Sequence, residues 1–140
     1  MKRTLLTACL AVLTGCGVSP TEIGLGSDTI YRLEAYNGQE LPTAKACGGT
    51  ALVSGSIVTT SAHKAERHLE LRDLATGHVT TTSIPGTYTR SGTEVAFTFQ
   101  EPTGSWTVHG TFKSGHLELT YPAPCDGYEV ESYAPALVAL

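Results

Sequence analysis

Ser61-Ala62-His63-Lys64 and Lys113-Ser114-Gly115 are the residues whose types and spacing could do covalent chemistry. A serine followed at the third position by lysine, with a second Lys-Ser-Gly elsewhere, is a pairing used for acyl transfer. There the lysine serves as base and a helix start orients the serine. Enzymes of that kind need a large helical domain, and this chain is short and strand-rich. Lys113-Ser114-Gly115 is moreover what a hairpin turn would contain. Five histidines (His63, His68, His78, His109 and His116) raise the question of a metal. No pair has the His-x-His or His-x-x-x-His spacing of a two-ligand element, although His109 and His116 could meet across a hairpin. Glu129 and Glu131 share one face of the last strand and are expected on a solvated side. Paired carboxylates can hydrolyse glycosides, but that spacing alone is weak ground. No phosphate loop, nucleophile elbow or dinucleotide fingerprint occurs. Catalytic residues, metal ligands and cofactors are therefore all expected to be none.

The thiols are more informative. Met1-Lys2-Arg3 supplies two positive charges ahead of a short, mostly apolar run that ends at Val12. This is the layout of a secretory leader, and it is too short for a membrane span, which needs roughly 20 apolar residues. Leu13-Thr14-Gly15-Cys16 resembles the lipobox of bacterial lipoproteins. The resemblance implies a leader of residues 1–15 cut before Cys16, a diacylglycerol on its thiol, and acylation of its freed amine. Burying acyl chains is worth about 0.8 kcal/mol per methylene, and two or three chains hold where one is marginal. Gly17, with no Asp after the cysteine, fits that family's default routing to the outer membrane. The chain is thus expected in the bacterial envelope, bound to membrane through its lipid. Cys47 and Cys125 then remain, in a compartment that permits disulfides, and are expected to pair.

Removing residues 1–15 from the 140 leaves 125, enough for one domain with one core. Two of the nine basic residues go with the leader, so seven Lys/Arg face thirteen Asp/Glu, a net charge near −6. An acidic surface without a basic cluster argues against nucleic acid as a partner.

Residues 16–28 read as a lipidated start and flexible tether reaching roughly 20 Å, and residues 29–140 as the folded domain. There the dominant period is two, the mark of half-buried strands. Tyr31, Leu33 and Ala35 alternate with Arg32, Glu34 and Tyr36, and Asn37-Gly38 supplies a turn. Residues 50–61 are rich in Val, Ile and Thr. Residues 61–74 could be helix or strand, and the alternation of Leu69 and Leu71 with His68, Glu70 and Arg72 favours a strand over about 67–74. Residues 78–84 form another strand, broken at Pro85-Gly86. Gly86-Thr87-Tyr88, Ser91-Gly92 and Val95-Ala96-Phe97 form a hairpin. Gly110-Thr111-Phe112, Ser114-Gly115 and Leu117-Glu118-Leu119 repeat it. A last strand spans 128–133, and an apolar tail follows.

Eight or nine short strands joined by tight turns, with no convincing helix, make an all-β antiparallel up-and-down meander. Closure into a small barrel would remove its exposed edges and bring Cys47 and Cys125 together. The strand and turn pattern over about 29–133 resembles the lipocalin-like (calycin-type) domains of small bacterial lipoproteins. It departs from true lipocalins in lacking Gly-x-Trp at the first strand, since the lone Trp106 is late. What the resemblance implies is binding of a small apolar ligand in the barrel. Eight strands leave room for packed side chains or for one small ligand. The inward set is expected to include Tyr31, Leu33, Leu69, Leu71, Val95, Phe97, Trp106, Val108, Phe112, Leu117 and Leu119. Of these, Tyr31, Leu33, Phe97, Trp106 and Phe112 are the candidate ligand-lining residues. The functional expectation is a non-enzymatic binding or accessory lipoprotein, holding a small apolar ligand or meeting an envelope protein partner. The alternative is a structural or protein-interaction envelope module with a filled core and no ligand, and a small hydrolase ranks last.

Overall fold

A computed structural model describes residues 28–123, 125 and 127–136. The leader, Cys16, all of the tether but Asp28, and tail residues 137–140 lie outside the described residues. Ten strands follow in order: β1 (Thr29–Tyr36), β2 (Gln39–Glu40), β3 (Thr43–Ala44), β4 (Thr50–Thr59), β5 (Lys64–Asp73), β6 (Val79–Ser91), β7 (Glu94–Glu101), β8 (Gly104–Lys113), β9 (His116–Pro122) and β10 (Tyr128–Pro135). Each neighbouring pair is antiparallel, in the order β1-β10-β9-β8-β7-β6-β5-β4, and β1 pairs with β4 to close the ring. The result is an eight-stranded barrel, with the two-residue strands β2 and β3 laid along β1 and β4 at one end.

Turn chemistry explains how the meander reverses so tightly. Asn37 and Gly38 both take positive φ (50° and 75°), as do Ser114 and Gly115 (53° and 83°). That geometry matches the right-handed twist of the flanking strands. Asn37 also exchanges bonds with β10: its N donates to the Val130 carbonyl and its Oδ1 accepts from Val130 N, both at 2.8 Å. The ambiguous 61–74 stretch is strand over Lys64–Asp73, because pairing on both sides, with β4 and β6, overrides its helix-favouring residues.

Strand β6 corrects the expected break at Pro85-Gly86, since it runs unbroken from Val79 to Ser91. Asp73 N donates to the His78 carbonyl and Tyr88 N to that of His63. By alternation, the even-numbered residues of β6 bond toward β5 and the odd-numbered ones point the other way. Pro85 is odd, so its missing N–H costs the β5–β6 ladder nothing. The β6–β7 ladder starts only at Gly86 opposite Phe99, so residues 79–85 pair with β5 alone. Gly86 is needed there for room, because a Cβ would stand 2.5 Å from the Thr98 carbonyl oxygen.

The core is the barrel interior. Tyr31, Leu33, Leu69, Val95, Phe97, Val108, Leu117 and Leu119 are buried, and Leu71, Trp106 and Phe112 pack against them half-buried. Rings run through it in sequence: Tyr88 beside Phe97, Phe97 stacked on Phe99, Phe99 against Trp106, Trp106 against Tyr121. Simple alternation puts Tyr36 outside, but a bulge between Leu33 and Ala35 turns it inward, to 2% exposure. Glu129 and Glu131 are a second correction. They face the lumen rather than solvent, at 2% and 0% exposure, because β10 shows its odd-numbered face to the interior.

Candidate functional site

The lumen is not wholly apolar. Period two places Arg67 on the same face of β5 as Leu69, and Glu129, Glu131 and Tyr133 on one face of β10. Those strands stand on opposite sides of the ring, separated by β1 and β4. Arg67 reaches across, and its Nη2 donates to Glu131 Oε1 at 2.5 Å. The Tyr121 hydroxyl donates to that same oxygen, and the Tyr133 hydroxyl to Oε2 at 2.6 Å. Three donors on one buried carboxyl group make a hydrogen-bonded network that satisfies it without water. The Arg67 guanidinium also lies over the faces of Trp106 and Tyr121, 5.6 and 5.7 Å from the ring centres.

Electrostatics follow from this arrangement. Desolvation tends to lower the Arg67 pKa, but Glu131 and the nearby phenols outweigh it, so the guanidinium is held more firmly charged than usual. Burial first, then the Glu131 carboxylate, push the Tyr121 and Tyr133 hydroxyls well above the ordinary phenol range. Both therefore stay protonated donors. Burial and the Glu129 carboxylate raise Tyr36 likewise.

Above this cluster, one end of the barrel is covered by the segment carrying β2 and β3. Lys45 reaches down to Glu129 at 3.5 Å and lies over the Tyr36 ring, and Leu41 packs on the core. A disulfide joins Cys47, on the β3–β4 loop, to Cys125, on the β9–β10 loop, with Cα atoms 5.9 Å apart. Asp28 and Ala136 lie at the opposite end, where Ala136 N donates to the Ile30 carbonyl.

The chain matches no known family model, no curated protein and no solved structure. Its chemistry has to be read from the geometry alone.

The residues singled out for covalent chemistry are not assembled. Ser61 lies exposed on the β4–β5 turn, where its N donates to Asp28 Oδ1 at 3.2 Å. Lys113-Ser114-Gly115 is the β8–β9 turn. No hydrogen bond joins Ser61 to either lysine among the described residues. His109 sits opposite Thr120 and His116 opposite Lys113, so those two histidines do not face each other. His68 lies 3.8 Å from Glu66 and His116 3.5 Å from Glu34, both at the surface. No group of three or more His, Cys, Asp or Glu among the described residues could hold a metal ion. Grooves lie on the outer wall and rim instead. One of about 360 Å³ runs past Arg32, Ser54, His68 and Glu70, and another of about 500 Å³ is lined by His63, Tyr88 and Arg90.

The five candidate lining residues do share the lumen, where they belong to or pack against the core cluster. Tyr31 meets Phe112 at 5.7 Å between ring centres, and Arg90 covers Phe112 at 4.8 Å. Sequence reasoning missed Arg67, Glu131, Tyr121 and Tyr133 as a unit. The available signal was Arg67 standing in phase with Leu69, and two glutamates standing in phase with Tyr133.

Proposed function

We propose that this chain is a non-enzymatic, lipid-anchored module of the bacterial envelope that binds through its outer surface, with the barrel as a filled scaffold. The observation that carries this reading is the Arg67–Glu131 pair with Tyr121 and Tyr133. These side chains occupy the lumen where an apolar ligand would have to sit. Displacing them would strip a buried ion pair of its donors, which costs several kcal/mol. The Glu131 carboxylate already accepts three hydrogen bonds, which leaves it poorly placed as an acid or base. Anchoring through Cys16 supplies the localisation, and residues 17–27 the leash.

The lumen is tested by titrating the protein with an apolar dye or a long-chain fatty acid while following Trp106 fluorescence. No spectral change is expected, and a saturable one would restore the ligand-carrying reading. The anchor is tested by intact mass: the mature chain should begin at Cys16 and carry acyl mass, and Cys16→Ser should lose it. A Cys16→Ser chain still bearing lipid would remove the anchor from the proposal.

A further inference from the structure

Several strand ends run past their neighbours on one side, among them Gly104–Val108 of β8, and the longest such stretch is on β6. From Val79 to Pro85, β6 pairs with β5 on one side and with nothing described on the other, because the β6–β7 ladder begins at Gly86. The donors and acceptors on that free side belong to the odd-numbered residues Val79, Thr81 and Ser83. Unpaired N–H and C=O groups in a row are a template for one more strand. Barrels and sheets commonly blunt such edges with lysine or an inward charge, yet the free-edge residues here are Val, Thr and Ser. Val79 is 40% exposed, and Leu74, on the adjoining hairpin tip, is 56% exposed.

The geometry points to a second copy of this chain as the strand that completes the edge, β6 against β6 in antiparallel register about a two-fold axis at Thr81. This rests on the reading that the protein works through its surface. In that register Thr81 faces Thr81 of the partner, and Val79 faces Ser83 of the partner. All three residues on each copy offer both N–H and C=O to the other, so the ladder matches itself without a mismatch. Its length is set by the chain on both sides. Pro85 has no N–H to continue it, and Gly77, with φ of 73°, has already turned into the hairpin. Threonine facing threonine is also a favourable cross-strand pair. The axis passes the outer face, where the edge residues themselves carry no carboxylate. The nearest, Glu66 and Glu70, stand one strand back on β5, where they accept hydrogen bonds from Ser83 and Ser54. An isologous contact of this kind closes at two and does not propagate into fibres.

The test uses the full-length chain expressed in its own envelope. In the proposed register Thr81 faces its copy as a hydrogen-bonded pair, with Cα atoms ~5.5 Å apart, within disulfide reach. Thr81→Cys should therefore yield a disulfide-linked species of doubled mass on a non-reducing gel. Thr89→Cys, on the same face of β6 but opposite Ala96 of β7, should not. The detergent-extracted wild-type chain should sediment as a dimer. Thr81→Pro should be monomeric with an unchanged circular dichroism spectrum, because position 81, like 85, owes no N–H to β5. A Thr81→Cys chain that stays monomeric overturns the proposal. So does one that links to a different protein, which would give the edge to another partner's strand. A silent dye titration combined with a monomeric Thr81→Cys chain would overturn the dimer alone. Dye binding in a chain that still dimerises would overturn only the filled-scaffold reading.

Discussion

Arg67 and Glu131 come from opposite walls of the barrel, 64 residues apart in sequence, and meet at 2.5 Å in its interior. Neither residue is on a loop, and neither has solvent to fall back on. The pair ties β5 to β10 through the lumen, in addition to the hydrogen-bonded route around the wall.

Breaking that pair from one side should be costly. Arg67→Met or Glu131→Leu should each lower unfolding free energy by about 3–5 kcal/mol, since each leaves a buried charge uncompensated. The double variant should recover a large part of the loss, because two apolar side chains then share the space. Urea denaturation of the three variants checks this. A double variant as unstable as the sum of the singles would show that Arg67 and Glu131 are not coupled.

The buried phenols make stability fall in alkali. Tyr121 and Tyr133 have folded-state pKa values raised above those of the unfolded chain, so their contribution is complete below the unfolded value and lost as pH rises beyond it. Stability should be flat to roughly pH 9 and then decline by up to about 1.4 kcal/mol per pH unit for each such tyrosine. Tyr133→Phe should flatten the decline. Urea midpoints between pH 8 and 11 give the slope.

The Cys47–Cys125 disulfide closes a loop spanning 78 residues of sequence separation. Its loss through Cys47→Ala with Cys125→Ala should destabilise the fold by about 4 kcal/mol in the chain-entropy account. The first structural consequence should be release of the β2–β3 cover. Hydrogen exchange should therefore rise at residues 39–49 before it rises in β7 or β8.

Gly86 and Gly110 are positions where the strands pass too closely for a side chain. A Cβ at Gly110 would stand 2.5 Å from the Glu118 carbonyl oxygen, as one at Gly86 would from that of Thr98. Gly86→Ala and Gly110→Ala should each cost about 1–3 kcal/mol through forced backbone shifts. This would hold despite alanine's better intrinsic propensity, and thermal melts would register it.

Much of this architecture was open to reading along the chain. Alternation over Val95-Ala96-Phe97, the paired Ser-Gly turns and Asn37-Gly38 act within a few residues, and they yielded an antiparallel meander with the right hairpins. The cysteine count pointed to the partners Cys47 and Cys125. The misreadings share a cause. Pro85 looked like a strand breaker because the harm a proline does depends on which side its missing N–H faces, and only the neighbouring strands set that side. Glu129 and Glu131 looked solvated because carboxylates are costly to bury alone, and the compensating donors lie elsewhere, on β5, β9 and β10 for Glu131 and at Lys45 after β3 for Glu129. Tyr36 turned inward at a bulge, which adds one residue and reverses the phase of all that follow.

The sequence by itself determined most of the strands, their meander order and the turns, since those depend on backbone preferences and on a period of two. The 61–74 stretch and the continuity of β6 waited on their neighbours. The tertiary structure decided which face of β10 points inward, where Arg67 finds its counter-charge, and which part of β6 pairs on one side only among the described residues. Those outcomes depend on the stagger with which the sheet closes on itself. Stagger is a property of the whole ring, and no local stretch of residues encodes it.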